Sequence, residues 1–153
     1  MKMFLSYSTP DLGLVSRIAK YLEPLGEVFY WDKDKPVGKE SWPTIFKWID
    51  QADVVLALIT GNTLYRAMAV GNEIGRAKAK GKSIIPLVAH DVLEGDLGCL
   101  QGIIHEKIDL YDPGPAMQRL EQPLIARKKE IQTAFLVMTA IGLLGLFWLL
   151  SKE

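Results

Sequence analysis

Glu73 is the residue of this chain best suited to chemistry. It lies on a predicted helix, beside the apolar stripe of Val70, Ile74 and Ala77 rather than opposite it. A carboxylate at the rim of an apolar surface is costly if it stays unsatisfied, and it is useful if it binds sugar hydroxyls. The alternative is a glutamate at this rim that is paired with Arg66, Arg76 or a nearby Lys, an arrangement that contributes little to stability at a surface.

Small polar residues follow two apolar runs that we predict to be strands. They are Ser6, Tyr7, Ser8 and Thr9 after the first run, and Thr60, Gly61 and Asn62 after the third. Ser8 or Thr9 could simply cap the following helix. Backbone amides at a helix start can also bind phosphate or ribose oxygens, so the two roles are compatible.

The first part of the chain alternates strand patterns with amphipathic helical patterns. This alternation predicts a parallel sheet covered on both faces. With right-handed crossovers, we predict an α/β fold of the flavodoxin-like type, with a doubly wound five-stranded parallel sheet in the order 2-1-3-4-5. The predicted strands cover residues 3–7, 27–31, 53–59, 83–88 and 105–110.

The predicted topology brings the polar residues to one place. In this strand order the ligand crevice lies beyond the carboxyl ends of strands one and three. Residues 6–9 and 60–62 follow these strands, and the charged loop 32–41 can fold over the same edge. Because the helix that carries Glu73 also begins there, we expect a single site.

The end of the chain differs sharply in composition. Residues 133–150 contain no charge and are mostly apolar, with Leu the commonest residue beside Phe, Ile and Val. A helix of this length, at about 1.5 Å per residue, crosses most of a hydrocarbon core about 30 Å thick. Basic residues 127–129 precede it and only Lys152 follows it. The positive-inside rule therefore predicts a single-pass protein of the cell membrane with its large domain in the cytoplasm; the alternative is a buried core helix.

We accordingly divide the chain into four segments. These are a domain at 1–120, a basic juxtamembrane helix or linker at 121–131, a transmembrane helix at 132–150 and a short tail at 151–153. The helix that ends the soluble part, from Ala116 to about Lys129, should be interrupted or bent near Pro123.

Composition and missing motifs exclude several classes of function. The 18 basic and 18 acidic residues give zero net charge, so we expect no nucleic-acid partner. A single cysteine, Cys99, excludes an internal disulfide or a thiolate metal cluster. His90 and His105 do not suggest a metal site. Since no dinucleotide-binding glycine motif or P-loop is present, we expect no bound cofactor.

Five stretches of the sequence, in this order, resemble the TIR (Toll/interleukin-1 receptor) domain of prokaryotic proteins. The resemblance covers roughly the first 120 residues and rests on Phe4–Thr9, Val28–Asp32, Gly38 with Trp42, Asn72-Glu73 and Gly81–Leu87. It implies one of two activities, since TIR domains either cleave NAD at the nicotinamide–ribose bond or act as docking modules. NAD would then be a substrate rather than a cofactor.

The resemblance also implies roles for particular residues. In enzymatically active TIR domains the glutamate that matches Glu73 contacts the nicotinamide ribose, where a carboxylate can stabilise oxocarbenium-like charge. Residues 32–42 correspond to the BB loop, which gates the nucleotide crevice or joins neighbouring TIR domains. The implied catalytic residue is Glu73. The implied substrate-binding residues are Ser6, Tyr7, Ser8, Thr9, Asp32, Gly38, Trp42, Gly61 and Asn62.

The chain departs from the family pattern just before Glu73. Many TIR domains have Ser-x-Trp-Cys there, whereas residues 67–70 of this chain are Ala-Met-Ala-Val. A ring that stacks on the substrate would then have to come from Tyr65, Trp31 or Tyr7.

Two hypotheses follow from the resemblance. The first is a membrane-anchored enzyme that cleaves NAD to nicotinamide and ADP-ribose or a cyclised product, in prokaryotic antiphage defence or signalling, and that self-associates. The second is a non-enzymatic module for homotypic TIR contacts at the membrane. Nucleoside deoxyribosyl transfer is a third possibility that a membrane helix fits poorly. A phosphoacceptor receiver domain would need an aspartate where this chain has residues 60–62.

Overall fold

The computed structural model describes residues 1–31, 41–65 and 67–150. Its strands are β1 (Lys2–Ser6), β2 (Glu27–Phe29), β3 (Val54–Ile59), β4 (Ser83–Ala89) and β5 (Glu106–Ile108). Its α-helices are α1 (Leu12–Leu22), α2 (Trp42–Gln51), α3 (Gly61–Tyr65), α4 (Ala67–Ala79) and α5 (Gly114–Leu150). Short 3-10 turns cover Thr9–Asp11, Glu23–Leu25 and Glu94–Leu100.

The five described strands form one parallel sheet in the order β2-β1-β3-β4-β5, which confirms the predicted topology. The central strand β3 is buried at all of its positions. Its uninterrupted apolar sequence suits this place, because a parallel strand covered on both faces has no polar side. Below, "carboxyl edge" means the edge of the sheet at which the strands end, and "amino edge" the edge at which they begin.

Helices cover both faces of the sheet. Along β1, Met3 and Leu5 point into the layer formed by α1 and α5, whereas Phe4 points into the layer formed by α2 and α4. This alternation follows from the two-residue period of a strand. Ser6, two residues after Phe4, therefore faces the layer that contains α4.

The ends of several elements differ from the sequence-based predictions. β2 ends at Phe29 rather than at residue 31, and Gly61 and Asn62 begin α3 instead of forming a turn. Ser8 occupies the N-cap position of the Thr9–Asp11 turn, but its side chain makes no capping hydrogen bond there. Its hydroxyl donates instead to the backbone oxygen of Asn62 at 3.2 Å. This hydrogen bond joins the loop after β1 to the residues that follow β3.

Helix α5 continues through Pro123 as one element of 37 residues. The predicted interruption is therefore wrong, and the alternative, a bend near Pro123, stays a prediction. The first turns of α5 bury Ala116, Met117, Leu120 and Leu124 in the core layer shared with α1, and this packing holds the helix where proline removes a backbone donor. Beyond Ile131 the described side chains of α5 are exposed.

The exposed part of α5 is apolar. A window of 18 residues within Gly114–Trp148 has a mean hydropathy of 1.8, and none of this window is buried in the protein. By length and composition the helix is therefore able to cross a membrane.

Candidate functional site

A cleft opens at the carboxyl edge, where β1, α2 and α4 meet. Its volume is about 190 Å³. The described residues that line it include Tyr7, Ser8 and Thr9 from the end of β1, Trp31, Ser41 and Trp42 beside the start of α2, and Val70 and Glu73 from α4. It lies at the end of β1, one of the two strands between which the topology predicted a ligand crevice.

Among the described residues that line this cleft, Glu73 is the acidic one. Only 7% of its surface is exposed, and the hydroxyl of Ser6 donates a hydrogen bond of 2.5 Å to Glu73 Oε2. Val70 and Ile74 on either side of it are buried against the sheet. The carboxyl group thus lies between an apolar layer and the cleft rather than in solvent.

Burial changes the acidity of this carboxyl group. Removal of the carboxylate from water raises the pKa of Glu73 to about 7, against a smaller lowering by the hydrogen bond from Ser6. Near neutral pH, Glu73 therefore exists as a mixture of charged and neutral forms. Strongly shifted groups of this kind are concentrated at functional sites, because a structural role rarely repays the cost of burying a charge.

The arginine pairing that would have made Glu73 structural is not formed by Arg76. The Arg76 guanidinium donates instead to both carboxylate oxygens of Asp50 on α2, at 2.9 and 2.6 Å. This contact lowers the pKa of Asp50 and raises the pKa of Arg76. Arg66, the other arginine near Glu73 in the sequence, lies outside the described residues.

Aromatic residues form one side of the cleft. The Trp42 ring packs on Phe46, with 5.4 Å between ring centroids, and the Trp31 ring lies 6.1 Å from Trp48. The Tyr7 hydroxyl donates to the backbone oxygen of Trp31, so it ties the end of β1 to the chain after β2. Tyr7 and Trp31 therefore lie where a substrate ring could stack, whereas the side chain of Tyr65 is outside the description.

Asn62 takes part in a group of hydrogen bonds between the loops that follow β1 and β3. Asp11 accepts a hydrogen bond of 2.7 Å from Thr60 Oγ1 and one of 2.6 Å from Asn62 Nδ2. Together with the bond from Ser8 to Asn62, these contacts fasten the loop after β1 to the loop after β3. We call this group of Ser8, Asp11, Thr60 and Asn62 the loop clasp.

The structure therefore sorts the predicted site residues into four groups. Tyr7, Ser8, Thr9, Trp42 and Glu73 line the cleft. Ser6 lies beneath it, fully buried against Glu73. Gly61 and Asn62 begin α3, where Asn62 belongs to the loop clasp. Asp32 and Gly38 fall outside the described residues.

Asp11 was not identified from the sequence as a residue that contributes to this region. It is only 8% exposed, and its partners are about fifty positions away in the chain. An acidic residue early in a helix normally indicates favourable interaction with the helix dipole, so its local sequence gave no sign of this role. In the described part of the chain no group of three or more His, Cys, Asp or Glu side chains could hold a metal ion.

Comparisons with known proteins identify the family and agree with the fold. A family model described as "TIR domain" matches residues 3–122. The structure is similar to the CMP N-glycosidase BcmB of Clostridium botulinum, with 20% identity, a TM-score of 0.57 and coverage of 80% of this chain and 98% of that one. It is also similar to the TIR domains of the Roq1 resistosome that recognises the pathogen effector XopQ, with 17% identity, a TM-score of 0.52 and coverage of 86% and 76%. No curated protein sequence matches the chain.

Proposed function

Since the chain belongs to the TIR domain family, we propose that it cleaves NAD at the nicotinamide–ribose bond, with Glu73 as the catalytic residue. The observation that carries this proposal is the buried carboxyl group of Glu73 in the lining of a partly aromatic cleft. Desolvation makes a carboxylate there more effective toward positive charge than one in water.

The proposed reaction breaks the bond between C1′ of the ribose and the ring nitrogen of nicotinamide. The electron pair of this bond leaves with the nitrogen, which loses its positive charge. The charge that develops at C1′ and the ring oxygen is stabilised by the Glu73 carboxylate. Water then attacks C1′ and loses a proton, so NAD and water give nicotinamide, ADP-ribose and a proton. In a cyclising version, a nucleophilic atom of the same molecule takes the place of water.

The other cleft residues would hold the substrate. Tyr7 and Trp31 offer rings for stacking, and Trp42 closes the side formed by α2. Ser8 and Thr9 lie at the start of the turn that leads into α1, where hydroxyls and backbone amides suit ribose and phosphate oxygens. Asp32 and Gly38 stay in the proposal from the family resemblance, as do Gly61 and Asn62 at the start of α3.

Two observations support a setting at a membrane. The exposed part of α5 is able to span a bilayer by length and composition, and residues 127–129 place three cations before it. We propose that this helix anchors the domain on the cytoplasmic side of the cell membrane. Anchored copies would be concentrated in two dimensions, which favours homotypic assembly. We also propose that the protein acts in prokaryotic antiphage defence or signalling.

The test uses the full-length protein, in detergent and in lipid vesicles, incubated with NAD. Nicotinamide release is followed by chromatography for the wild type, for Glu73→Gln and for Glu94→Gln, a matched change at an exposed glutamate outside the cleft. We expect release by the wild type and by Glu94→Gln, and a loss of at least about 100-fold in Glu73→Gln, since a preorganised charge contributes several kcal/mol to the transition state. Equal release by all three proteins would contradict the role of Glu73.

The similarity to BcmB, a CMP N-glycosidase, adds a second substrate to the same experiment. CMP is offered in place of NAD, and release of cytosine is measured. Cleavage of CMP but not of NAD would contradict the proposed substrate and keep the proposed bond type. No cleavage of either nucleotide, on vesicles or in detergent, would favour the non-enzymatic interaction module.

A further inference from the structure

Ser6 is a polar residue at a place in the fold that suits an apolar side chain. It is the last residue of β1, pairs with Ala57 of β3, and has none of its surface exposed. Its side chain faces the same layer as that of Phe4, two residues earlier, where the neighbours are apolar. A hydroxyl buried in such a layer costs stability unless it forms a hydrogen bond.

The partner of this hydroxyl is Glu73. Ser6 Oγ lies 2.5 Å from Glu73 Oε2, although 67 positions of the chain separate the two residues. Within the described residues, this is the hydrogen bond that the Glu73 carboxyl group accepts. It holds one oxygen against the rigid end of β1, and Oε1 is the oxygen that remains for a ligand in the cleft.

We propose that Ser6 is a positioning residue, which orients the Glu73 carboxylate by its hydrogen bond to Oε2 and thereby presents Oε1 to the sugar of the substrate. This inference rests on the proposed function and changes the part that Ser6 plays in it. Ser6 lies beneath the cleft and does not line it, so it acts through Glu73 and not by touching the substrate.

The hydrogen bond also controls the charge of Glu73. A donor to a carboxylate favours its ionised form, and Ser6 opposes the effect of burial in this way. Charged groups on the surrounding elements are engaged elsewhere: Asp11 in the loop clasp, and Asp50 of α2 with Arg76 of α4. In the described part of the chain, burial and Ser6 are the influences on the Glu73 pKa. Without the hydroxyl, a larger fraction of Glu73 is protonated at neutral pH.

The first test compares the pH dependence of kcat/KM for the wild type, Ser6→Ala and Ser6→Thr. We expect Ser6→Ala to move the acid limb upward by about one pH unit, because a hydrogen bond to a charged group favours ionisation by about that much. Ser6→Thr keeps the hydroxyl and should return the limb toward its wild-type position. Ser16→Ala removes a serine hydrogen bond from α1 and should leave the limb unchanged. An acid limb at the wild-type pH in Ser6→Ala would overturn the inference.

A second test does not need activity. The difference in unfolding free energy between a protein and its Glu73→Gln variant changes with pH according to the titration of Glu73. We expect this titration at a higher pH in the Ser6→Ala background than in the wild type. An unchanged titration would overturn the inference even if the full-length protein cleaves NAD. If the protein releases no nicotinamide while the titration moves, the proposed function fails and the control of Glu73 by Ser6 stands.

Discussion

At the residue scale, the same burial of Glu73 weakens the fold and suits the chemistry. The carboxyl group has 7% of its surface exposed and a pKa raised to about 7. Its ionised form is therefore poorly solvated in the folded protein and well solvated in the unfolded chain. Proteins keep such groups where function requires them, so removal of the charge should stabilise the molecule.

Glu73→Gln is expected to stabilise the protein at high pH. The folded pKa of about 7 exceeds the ordinary value of 4.5, so the folded state holds more protons between these values and its stability falls as pH rises. The full cost above pH 7 is about 3 kcal/mol. Chemical denaturation in mild detergent at pH 5 and pH 8 should show a gain for Glu73→Gln at pH 8 that largely disappears at pH 5. A gain of equal size at both values would point to packing instead of charge.

The sequence predicted the importance of Glu73 because its helical position is local information. A residue beside an apolar stripe can be identified within one turn of helix. The bond from Ser6 and the role of Asp11 were not predictable in the same way. Both depend on pairs of residues that are far apart in the chain, and a hydroxyl or carboxylate gives no indication of a distant partner.

At the element scale, the loop clasp decides how β1 and β3 present their ends. Asp11 accepts from Thr60 and Asn62, and Ser8 donates to the backbone of Asn62. These bonds connect the loop that supplies Tyr7 and Thr9 to the cleft with the loop that leads into α3. We therefore expect the shape of the cleft to depend on Asp11, although Asp11 does not line it.

Asp11→Ala should destabilise the protein and weaken substrate binding. The change leaves the buried Thr60 Oγ1 without its acceptor, whereas the exposed Asn62 Nδ2 can turn to water. A loss of about 1–3 kcal/mol is expected for a buried hydroxyl that loses its partner. Denaturation measures the stability, and KM for NAD reports the cleft. Asp96→Ala, at an exposed aspartate, is the matched control. If Asp11→Ala destabilises the protein but leaves KM unchanged, the loop clasp stabilises the fold without affecting substrate binding in the cleft.

Most of the element order was predictable, and α5 shows where prediction ended. Strand order follows from apolar runs, short connections and right-handed crossovers, all of which are visible in the sequence. The continuity of α5 through Pro123 is not visible, because proline locally favours a break. Packing of Met117, Leu120 and Leu124 against α1 and the sheet overrides that preference.

At the scale of the whole molecule, α5 and the cleft point in opposite directions. Helix α5 begins at Gly114, after the carboxyl end of β5, and runs along α1. Leu124 of α5 belongs to the same core layer as Leu25, and Leu25 lies in the turn just before β2 begins. The helix therefore leaves the domain at the amino edge. The cleft lies at the carboxyl edge. With α5 in a bilayer as proposed, the cleft faces the cytoplasm and the amino edge faces the lipid.

Fluorescence quenching can measure this orientation in vesicles. In a Cys99→Ser background, Lys80→Cys labels the turn before β4 and Leu93→Cys labels the turn after it, both at exposed positions. With a quencher on the lipid headgroups, we expect the label at position 80 to be quenched more strongly than the label at position 93. Equal quenching of the two labels would contradict a fixed orientation of the domain on α5.

The continuity of α5 has a geometrical consequence for the direction in which the cleft faces around the helix axis. The buried turns near Leu124 and the exposed turns beyond Ile131 belong to one helix, so they share one helical phase. Each residue of an α-helix advances the chain by about 100° and 1.5 Å. One residue added between these turns would swing the domain by nearly a third of a circle while hardly raising it. The number of residues along α5 between the buried and the exposed turns therefore sets the direction in which the cleft faces around the helix axis.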